Sequence, residues 1–161
     1  MIEIKSSSLP RDEMVDELAR GVMRWQDETQ AYDEAVGERM GLNAAERRCL
    51  GFLHHGQQPA GAIAAATGLT PAAVTALVDR LEARGLLTRK RSVEDRRKVM
   101  IEGTAKAQEM AQRYYGTIAR DGQVIIEQFD DRELETILRF LRAALDLQRR
   151  HLDRLKAGEK V

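Results

Sequence analysis

Seven basic side chains lie within the fifteen residues from Arg84 to Lys98 of this 161-residue chain. Only Glu94 and Asp95 oppose them, so the segment carries a net charge of +5, whereas the whole chain has a net charge of 0. Clustered lysine and arginine side chains bind phosphate groups, and arginine also reads base edges in DNA grooves. The segment therefore predicts contact with nucleic acid. A solvated basic hairpin on another kind of α+β domain is the alternative that these residues leave open. The basic residues are Arg84, Arg89, Lys90, Arg91, Arg96, Arg97 and Lys98.

A helix with readable ends precedes this basic segment. Thr70 can cap its first free amides, Pro71 suits its first position, and Gly85 can adopt the left-handed conformation that ends a helix. One face of the helix is apolar and the opposite face carries only small or polar groups, so the latter can enter a narrow groove such as the DNA major groove. The apolar face consists of Val74, Leu77, Val78 and Leu81, and the opposite face of Ala72, Ala73, Thr75, Ala76 and Arg80.

The stretches LLTRKR and KVMIE can pair across the loop SVEDRR, which predicts a two-stranded ribbon with a charged tip. A helix with a small-residue face followed by an arginine-tipped hairpin is typical of a winged helix-turn-helix. In that arrangement the helix enters the major groove and the hairpin tip reaches phosphates or the minor groove. We expect the DNA contacts to come from Thr70, Ala72, Ala73, Thr75, Ala76, Arg80, Arg89, Arg91, Asp95, Arg96, Arg97 and Lys98.

The segment VTALVDRLEARGLLTRKRSVEDRRKVMIEGTAKA resembles the recognition helix and wing of the MarR (multiple antibiotic resistance regulator) family of bacterial transcription factors. The marks are VDRLExRGL and the Asp-x-Arg signature, here Asp95-Arg96-Arg97, and a looser similarity covers nearly the whole chain. The resemblance implies a homodimeric transcription regulator, a repressor, that binds a pseudo-palindromic operator in double-stranded DNA. It also implies that Arg97 enters the minor groove at the wing tip while Asp95 holds the loop or orients a neighbouring arginine.

Two positions depart from the pattern of this family. The family often carries a longer polar residue where Ala76 stands, and a Leu-Thr pair where this chain has Glu102-Gly103 before Thr104. Without a long side chain at Ala76, we expect groove shape to contribute much of the sequence specificity.

A small effector, commonly aromatic or anionic, occupies a cleft between the dimer helices and the DNA-binding lobe in many members of the family. The resemblance implies that such a ligand releases this protein from DNA. For each of the corresponding residues, ordinary core packing is the alternative. These pocket candidates are Trp25, Tyr32, His54, His55, Tyr114 and Tyr115.

The composition favours a mainly helical fold, because 32% of residues are charged and only 4% are aromatic. We expect one protomer over residues 1–161, with a winged helix-turn-helix lobe at 42–102 and a small β-hairpin wing. Long helices at 11–40 and 104–157 are expected to form the dimerisation region.

An apolar stripe is expected on the first long helix, at 11–40, and on each of the two helices expected within 104–157. Cap signals are expected at Asn43 with Glu46, at Pro59, and at Asp130 or Asp131. The stripe of the first helix can pack on the chain's own core or on a partner helix; it consists of Val15, Leu18, Val22, Trp25, Thr29, Tyr32 and Val36. In the helix that begins at Thr104 and runs to about Phe129, the inward residues are expected to be Met110, Tyr114, Ile118, Ile125 and Ile126. The last helix is expected to form the subunit interface through Leu134, Leu138, Leu141, Leu145 and Leu152.

Other functional classes receive less support from the residues. No GxSxG, phosphate-cradling glycine loop, HExxH or Cys/His cluster is present, so we expect neither an enzyme nor a cofactor nor a bound metal. Cys49 lies on an apolar helical face, which favours a buried, inert thiol over a redox sensor. A helical adaptor that binds a protein partner instead of DNA remains an alternative. With one cysteine, no signal peptide and no membrane-spanning run, the chain is expected to be cytoplasmic and to have no membrane partner.

Overall fold

Six helices and a small antiparallel sheet make up the computed structural model, which describes residues 9–92, 95 and 98–158. This confirms the predicted fold class. The order of elements along the chain places a helix-turn-helix and a hairpin between longer helices. The elements are α1 (Arg11–Met40), α2 (Ala44–Leu53), β1 (Gln58–Pro59), α3 (Ala60–Thr67), α4 (Pro71–Ala83), β2 (Leu87–Arg91), β3 (Val99–Gly103), α5 (Ala105–Ile126) and α6 (Asp131–Lys156).

The chain divides into two compact units, Met1–Ala111 and Gln112–Val161. The first contains the hydrophobic core, to which α4 contributes the four apolar residues predicted from its spacing. Helix α3 adds Ile63, which is fully buried although its neighbours are mostly alanine. Removing such side chains from water is the main stabilising contribution to this unit. Its buried apolar residues include Val36, Leu42, Cys49, Leu53, Ile63, Val74, Leu77, Val78, Leu81, Leu86, Leu87, Ile101 and Ala107.

Helix ends in the structure lie where the cap residues predict them. The Glu46 amide donates to Asn43 Oδ1 at 2.9 Å and the Asn43 amide donates to Glu46 Oε2 at 3.0 Å, which completes a capping box on α2. Thr70 Oγ1 accepts a hydrogen bond from the Ala73 amide at 3.3 Å at the start of α4. Asp130 caps α6 with a second capping box, so the cap is Asp130 and the helix begins at Asp131. Each side-chain cap contributes about 1 kcal/mol.

The hairpin forms as predicted, and a third short strand extends it. Strands β2 and β3 pair antiparallel from Leu87 opposite Gly103 to Arg91 opposite Val99. Strand β1, only two residues long, pairs with the other edge of β3 through Gln58 opposite Ile101, which gives the order β1-β3-β2. The sequence did not predict β1, because two residues that include a proline carry no strand periodicity.

The second unit holds most of α5 and all of α6. None of the residues of α6, all of which the structure describes, is buried, and Leu138, Leu145 and Leu152 are about half exposed at 49%, 55% and 49%. In α5 the prediction of inward-facing residues was wrong for three of them. Met110 is the last residue of α5 that packs against the hydrophobic core, and the later apolar residues of α5 are not part of that core. These half-exposed residues are Ile118, Ile125 and Ile126.

Helix α1 carries its predicted apolar stripe, but the protomer covers only the end of it. Val36 is buried at 4% exposure, Val22 is partly buried, and Val15, Leu18 and Trp25 are exposed. The stripe therefore contributes to the core of the protomer mainly through its last turns. Among the described residues no single helix is long and apolar enough to cross a membrane, and α3 and α4 meet that test only as a pair bent by 103°.

Candidate nucleic-acid interface

The exposed face of α4 is built mainly from small side chains. Ala72, Thr75 and Ala76 are exposed and Ala73 is partly buried, while the opposite face of the helix lies in the core. Because the apolar face of α4 is buried in the core of the first unit, the small-residue face on the other side of the helix points away from that core. The helix thus presents a surface that can approach another molecule closely, as a helix in a DNA major groove does.

The two threonines on this face have different hydrogen-bonding capacity left. Thr70 Oγ1 accepts from the Ala73 amide, so its O–H remains available as a donor to a phosphate oxygen. Thr75 Oγ1 instead donates to the Pro71 carbonyl at 3.1 Å, so the lone pairs of its oxygen and its methyl group remain. Thr75 can therefore accept from a base amino group or contact a thymine methyl.

Arg80 lies at the edge of the same face and is held by a carboxylate. Its Nε donates to Glu46 Oε1 at 3.1 Å, and the side chain of Glu46 is only 8% exposed. Glu46 thus serves both the capping box of α2 and the guanidinium of α4. The Arg80 side chain remains 56% exposed, so the edge that carries its two terminal nitrogens can still meet an anion.

Arg89 on β2 contacts the acidic side of α4. Its guanidinium donates to Glu82 and, at 2.5 Å, to Asp79 Oδ1, and its backbone amide donates to Glu82 Oε1 at 3.3 Å. The hydrogen bond to Asp79, together with the charges of Glu82 and Asp79, raises the pKa of Arg89 above its ordinary value. Arg89 therefore joins the wing to α4, and two carboxylates already occupy the guanidinium expected to bind DNA.

The remaining wing residues are less positive than the linear count indicates. Lys90 pairs with Glu102, and Lys98 Nζ lies 3.9 Å from Asp95 Oδ2, while Arg91 is exposed. Counting from Asp79 to Glu102, which includes the carboxylates that the fold brings in, gives eight basic and five acidic residues and a net charge of +3. Arg96 and Arg97, expected at the wing tip, lie outside the described residues.

Cys49 is completely buried in α2, as its position on the apolar face predicted. Burial, with a smaller contribution from the nearby charge of Glu46, raises the pKa of its thiol to about 11. The thiolate is the reactive form of cysteine, so the thiol stays protonated at neutral pH and the structure favours the inert role over redox sensing.

The pocket candidates are divided between the two units. In the first, Trp25 is 62% exposed, Tyr32 is exposed on the same helix, and His54 and His55 follow α2 on the surface with their rings 5.7 Å apart edge to face. Within residues 9–92, 95 and 98–158, no three His, Cys, Asp or Glu side chains could together hold a metal ion.

In the second unit, Tyr114 and Tyr115 are partly buried on α5. The guanidinium carbon of Arg113 lies 5.9 Å from the centroid of the Tyr114 ring, which is within the range of a cation–π interaction.

The sequence analysis did not predict the contacts made by four residues near the candidate interface: Glu46, Asp79, Glu82 and Arg84. Glu46 was predicted as a cap and not as a partner of Arg80, and Asp79 and Glu82 were named only within the VDRLExRGL motif, without a partner. The spacing of three between Asp79 and Glu82 does place both carboxylates on one side of α4, which was a readable signal for a basic partner. Arg84 was counted only for its charge.

Comparison with known proteins gives a consistent result. Residues 40–98 match the sequence model of the MarR family. Over 129 residues the chain is 30% identical to the uncharacterized HTH-type transcriptional regulator YcgE of Bacillus subtilis (strain 168), a match that covers 80% of this chain and 84% of that protein.

Solved structures share the fold. A MarR family protein from Bacillus stearothermophilus is similar with a TM-score of 0.63 and 21% identity, over 87% of this chain and 99% of the other. A point mutant of S. aureus MepR bound to an oligodeoxyribonucleotide is similar with a TM-score of 0.53 and 23% identity, over 83% of this chain and 97% of the other.

Proposed function

The chain belongs to the MarR family of transcriptional regulators, and we propose that it is a homodimeric repressor that binds a pseudo-palindromic DNA operator and is released by a small ligand. The observation that carries the proposal is the exposed face of α4, which consists of small and hydroxyl side chains and is followed directly by a basic hairpin. A helix of this kind can lie in the major groove while the hairpin follows the phosphate backbone. The DNA-bound MepR mutant of the same fold supports the assignment.

The contacts divide between positioning and reading. Thr70 and the exposed guanidinium edge of Arg80 are proposed to bind phosphates, and Thr75 to meet a base edge or a thymine methyl. Arg91, with Arg96 and Arg97, supplies the positive charge of the wing. Because Ala76 offers no hydrogen-bonding group, much of the specificity is assigned to groove shape.

The homodimer is proposed to form through the terminal helices. The leucine seam of α6 consists of the expected interface residues Leu134, Leu138, Leu141, Leu145 and Leu152. In the protomer Leu138, Leu145 and Leu152 are about half exposed, and on α1 Val15 and Leu18 are exposed. Apolar surface of this extent on a folded chain is typical of a binding surface. A two-fold dimer would place two copies of α4 about one DNA turn apart, roughly 34 Å, and so select a nearly palindromic site.

Selection of bound fragments from sheared genomic DNA tests the proposed function. We expect the protein to enrich fragments that share an inverted repeat, with an affinity that falls steeply as salt concentration rises, because Lys and Arg displace counterions from phosphates. Fragments without a common sequence, or no retained DNA at low salt, would contradict operator binding. Binding of protein partners instead of DNA would favour the helical adaptor.

The proposed ligand response has a built-in probe, since Trp25 is the only tryptophan of the chain and is 62% exposed in the protomer. A ligand that lowers DNA affinity must bind the free protein more tightly than the DNA complex by the same factor. We expect aromatic acids or phenols that quench Trp25 to weaken operator binding to that extent. Quenching ligands that leave operator affinity unchanged would show that the pocket does not regulate DNA binding.

A further inference from the structure

Arg84, the residue that follows α4, holds the end of α1. Its Nη1 donates to the Gly41 carbonyl and its Nη2 to the Met40 carbonyl, both at 2.7 Å. These carbonyls lie at the end of α1, where the helix leaves carbonyl groups without partners and carries the negative end of its dipole. Gly41 ends α1 in the left-handed conformation with φ 60°, and this turn brings its carbonyl and that of Met40 to one guanidinium.

The same end of α4 also holds the start of α5. Lys106 Nζ donates to the Arg84 carbonyl at 2.8 Å, and Thr104 Oγ1 donates to the Gly85 carbonyl at 2.7 Å. The Thr104 amide donates to the Leu86 carbonyl at 3.1 Å. All of these groups belong to the first unit, Met1–Ala111. The two helices that lead into the proposed dimerisation region therefore both attach to α4 at Arg84 and its neighbours.

We infer that Arg84 is a positioning residue that fixes the orientation of α4 against α1, and thereby the half-site spacing that the dimer accepts. The inference rests on the proposed function. A guanidinium that donates to two acceptors at once restricts orientation as well as distance, which a single hydrogen bond does not. A rotation of α4 relative to α1 that the Arg84 side chain cannot follow would break one or both bonds. A dimer joined through α1 would then read two half-sites at a defined separation and reject others.

Duplexes with altered spacing test this directly. The operator from the genomic selection is made in three forms, with its central spacer unchanged, one base pair longer and one base pair shorter. Their affinities are measured by fluorescence anisotropy for the full-length wild type, Arg84→Met, Arg84→Lys and Arg39→Met. Arg39 is the matched control, because it is a basic residue in the last turn of α1 and its side chain is exposed.

We expect the wild type and Arg39→Met to show the same large loss of affinity when the spacer changes. In Arg84→Met that loss should shrink by about tenfold, the lower end of what a hydrogen bond to a charged group contributes. Arg84→Lys should lie between, since its ammonium keeps the charge but has no planar fork. Lys106→Met, which removes only the contact with the Arg84 carbonyl, should shrink the loss less than Arg84→Met does.

A general loss of stability would weaken binding to all three duplexes equally and leave their ratios unchanged. Unchanged ratios in folded Arg84→Met and Arg84→Lys, as judged by circular dichroism, would overturn the inference while leaving the proposed function intact. If Arg84→Met does not fold, Arg84→Lys and Lys106→Met decide by the same ratios. A wild type that binds none of the duplexes would overturn the proposed function and this inference with it.

Discussion

Arg89 and Arg91 lie two residues apart on β2, and their side chains have different surroundings. Arg89 reaches Asp79 and Glu82 on α4, and its side chain is only 32% exposed. Arg91, the last residue of the strand, is exposed. Two arginines of one basic run therefore serve different purposes. Arg89 stabilises the contact between wing and helix, whereas Arg91 remains available to a phosphate.

This difference predicts that two matched substitutions affect different quantities, stability in one case and DNA affinity in the other. Arg89→Met should lower the free energy of unfolding by about 1 kcal/mol, because it leaves two partly exposed carboxylates facing each other without a cation. Arg91→Met should leave stability unchanged and reduce the slope of log affinity against log salt by about one. Urea unfolding and anisotropy titrations measure the two quantities. Equal destabilisation by both substitutions would contradict the assignment.

The sequence predicted the basic segment and could not predict which of its charges are neutralised. Asp79 and Glu82 precede Arg89 by ten and seven residues, and only the turn at Gly85 brings the strand back along α4. Glu46 precedes Arg80 by 34 residues, so their pairing depends on how α2 packs against α4. A linear count of charge contains no information on these tertiary contacts. Widening the counted range from 84–98 to 79–102 adds three carboxylates and Arg80, and the net charge falls from +5 to +3.

Local signals set the helices and strands more completely than the surfaces between them. The end of α1 follows from Gly41, and the cap of α4 follows from Thr70 with Pro71, because these residues determine backbone conformation and hydrogen bonding locally. Strand β1 was missed, since its pairing with β3 depends on tertiary position. In α5 the apolar residues have helical periodicity, yet Ile118 and Ile125 are exposed, because periodicity shows that a face is apolar and not what covers it.

One pair of substitutions in α6 tests the proposed role of its leucine seam in the dimer. Leu141→Glu places a charge within the seam, so it should shift the protein from dimer to monomer as measured by light scattering. Ala143→Glu adds the same charge at an exposed position two residues along, about 200° around the helix, and should leave the mass unchanged.

Circular dichroism distinguishes dissociation from unfolding in these variants. Loss of helical signal in Leu141→Glu alone would mean that the protomer is not stable without its partner. A folded Leu141→Glu variant that remains a dimer at the lowest measurable concentration would exclude the seam as the interface.

In the molecule as a whole, the apolar core lies in the first unit, whereas exposed apolar residues are found on α1, α5 and α6. The core lies in the first unit, where α4 and the hairpin carry the candidate interface, whereas α6 in the second unit has no buried residue. We propose that α4 and the hairpin contact DNA and that the long terminal helices form the subunit contact. Local motifs were enough to predict the family and the fold. The dimer and the ligand are proposed from surfaces that would contact other molecules, about which local motifs carry little information.

The proposed function requires the exposed face of α4 to contact DNA, and the substitution Ala76→Glu tests this contact. Ala76 is exposed and glutamate is a good helix former, so the fold should be retained. The control is Ala105→Glu at the first residue of α5, which is also exposed and adds the same charge beyond the hairpin. Affinity for the selected operator is measured by fluorescence anisotropy at one salt concentration. We expect Ala76→Glu to lose at least about tenfold in affinity, because a carboxylate would face the DNA surface, and Ala105→Glu to bind like the wild type. Wild-type affinity in a folded Ala76→Glu protein would exclude the exposed face of α4 as the DNA contact.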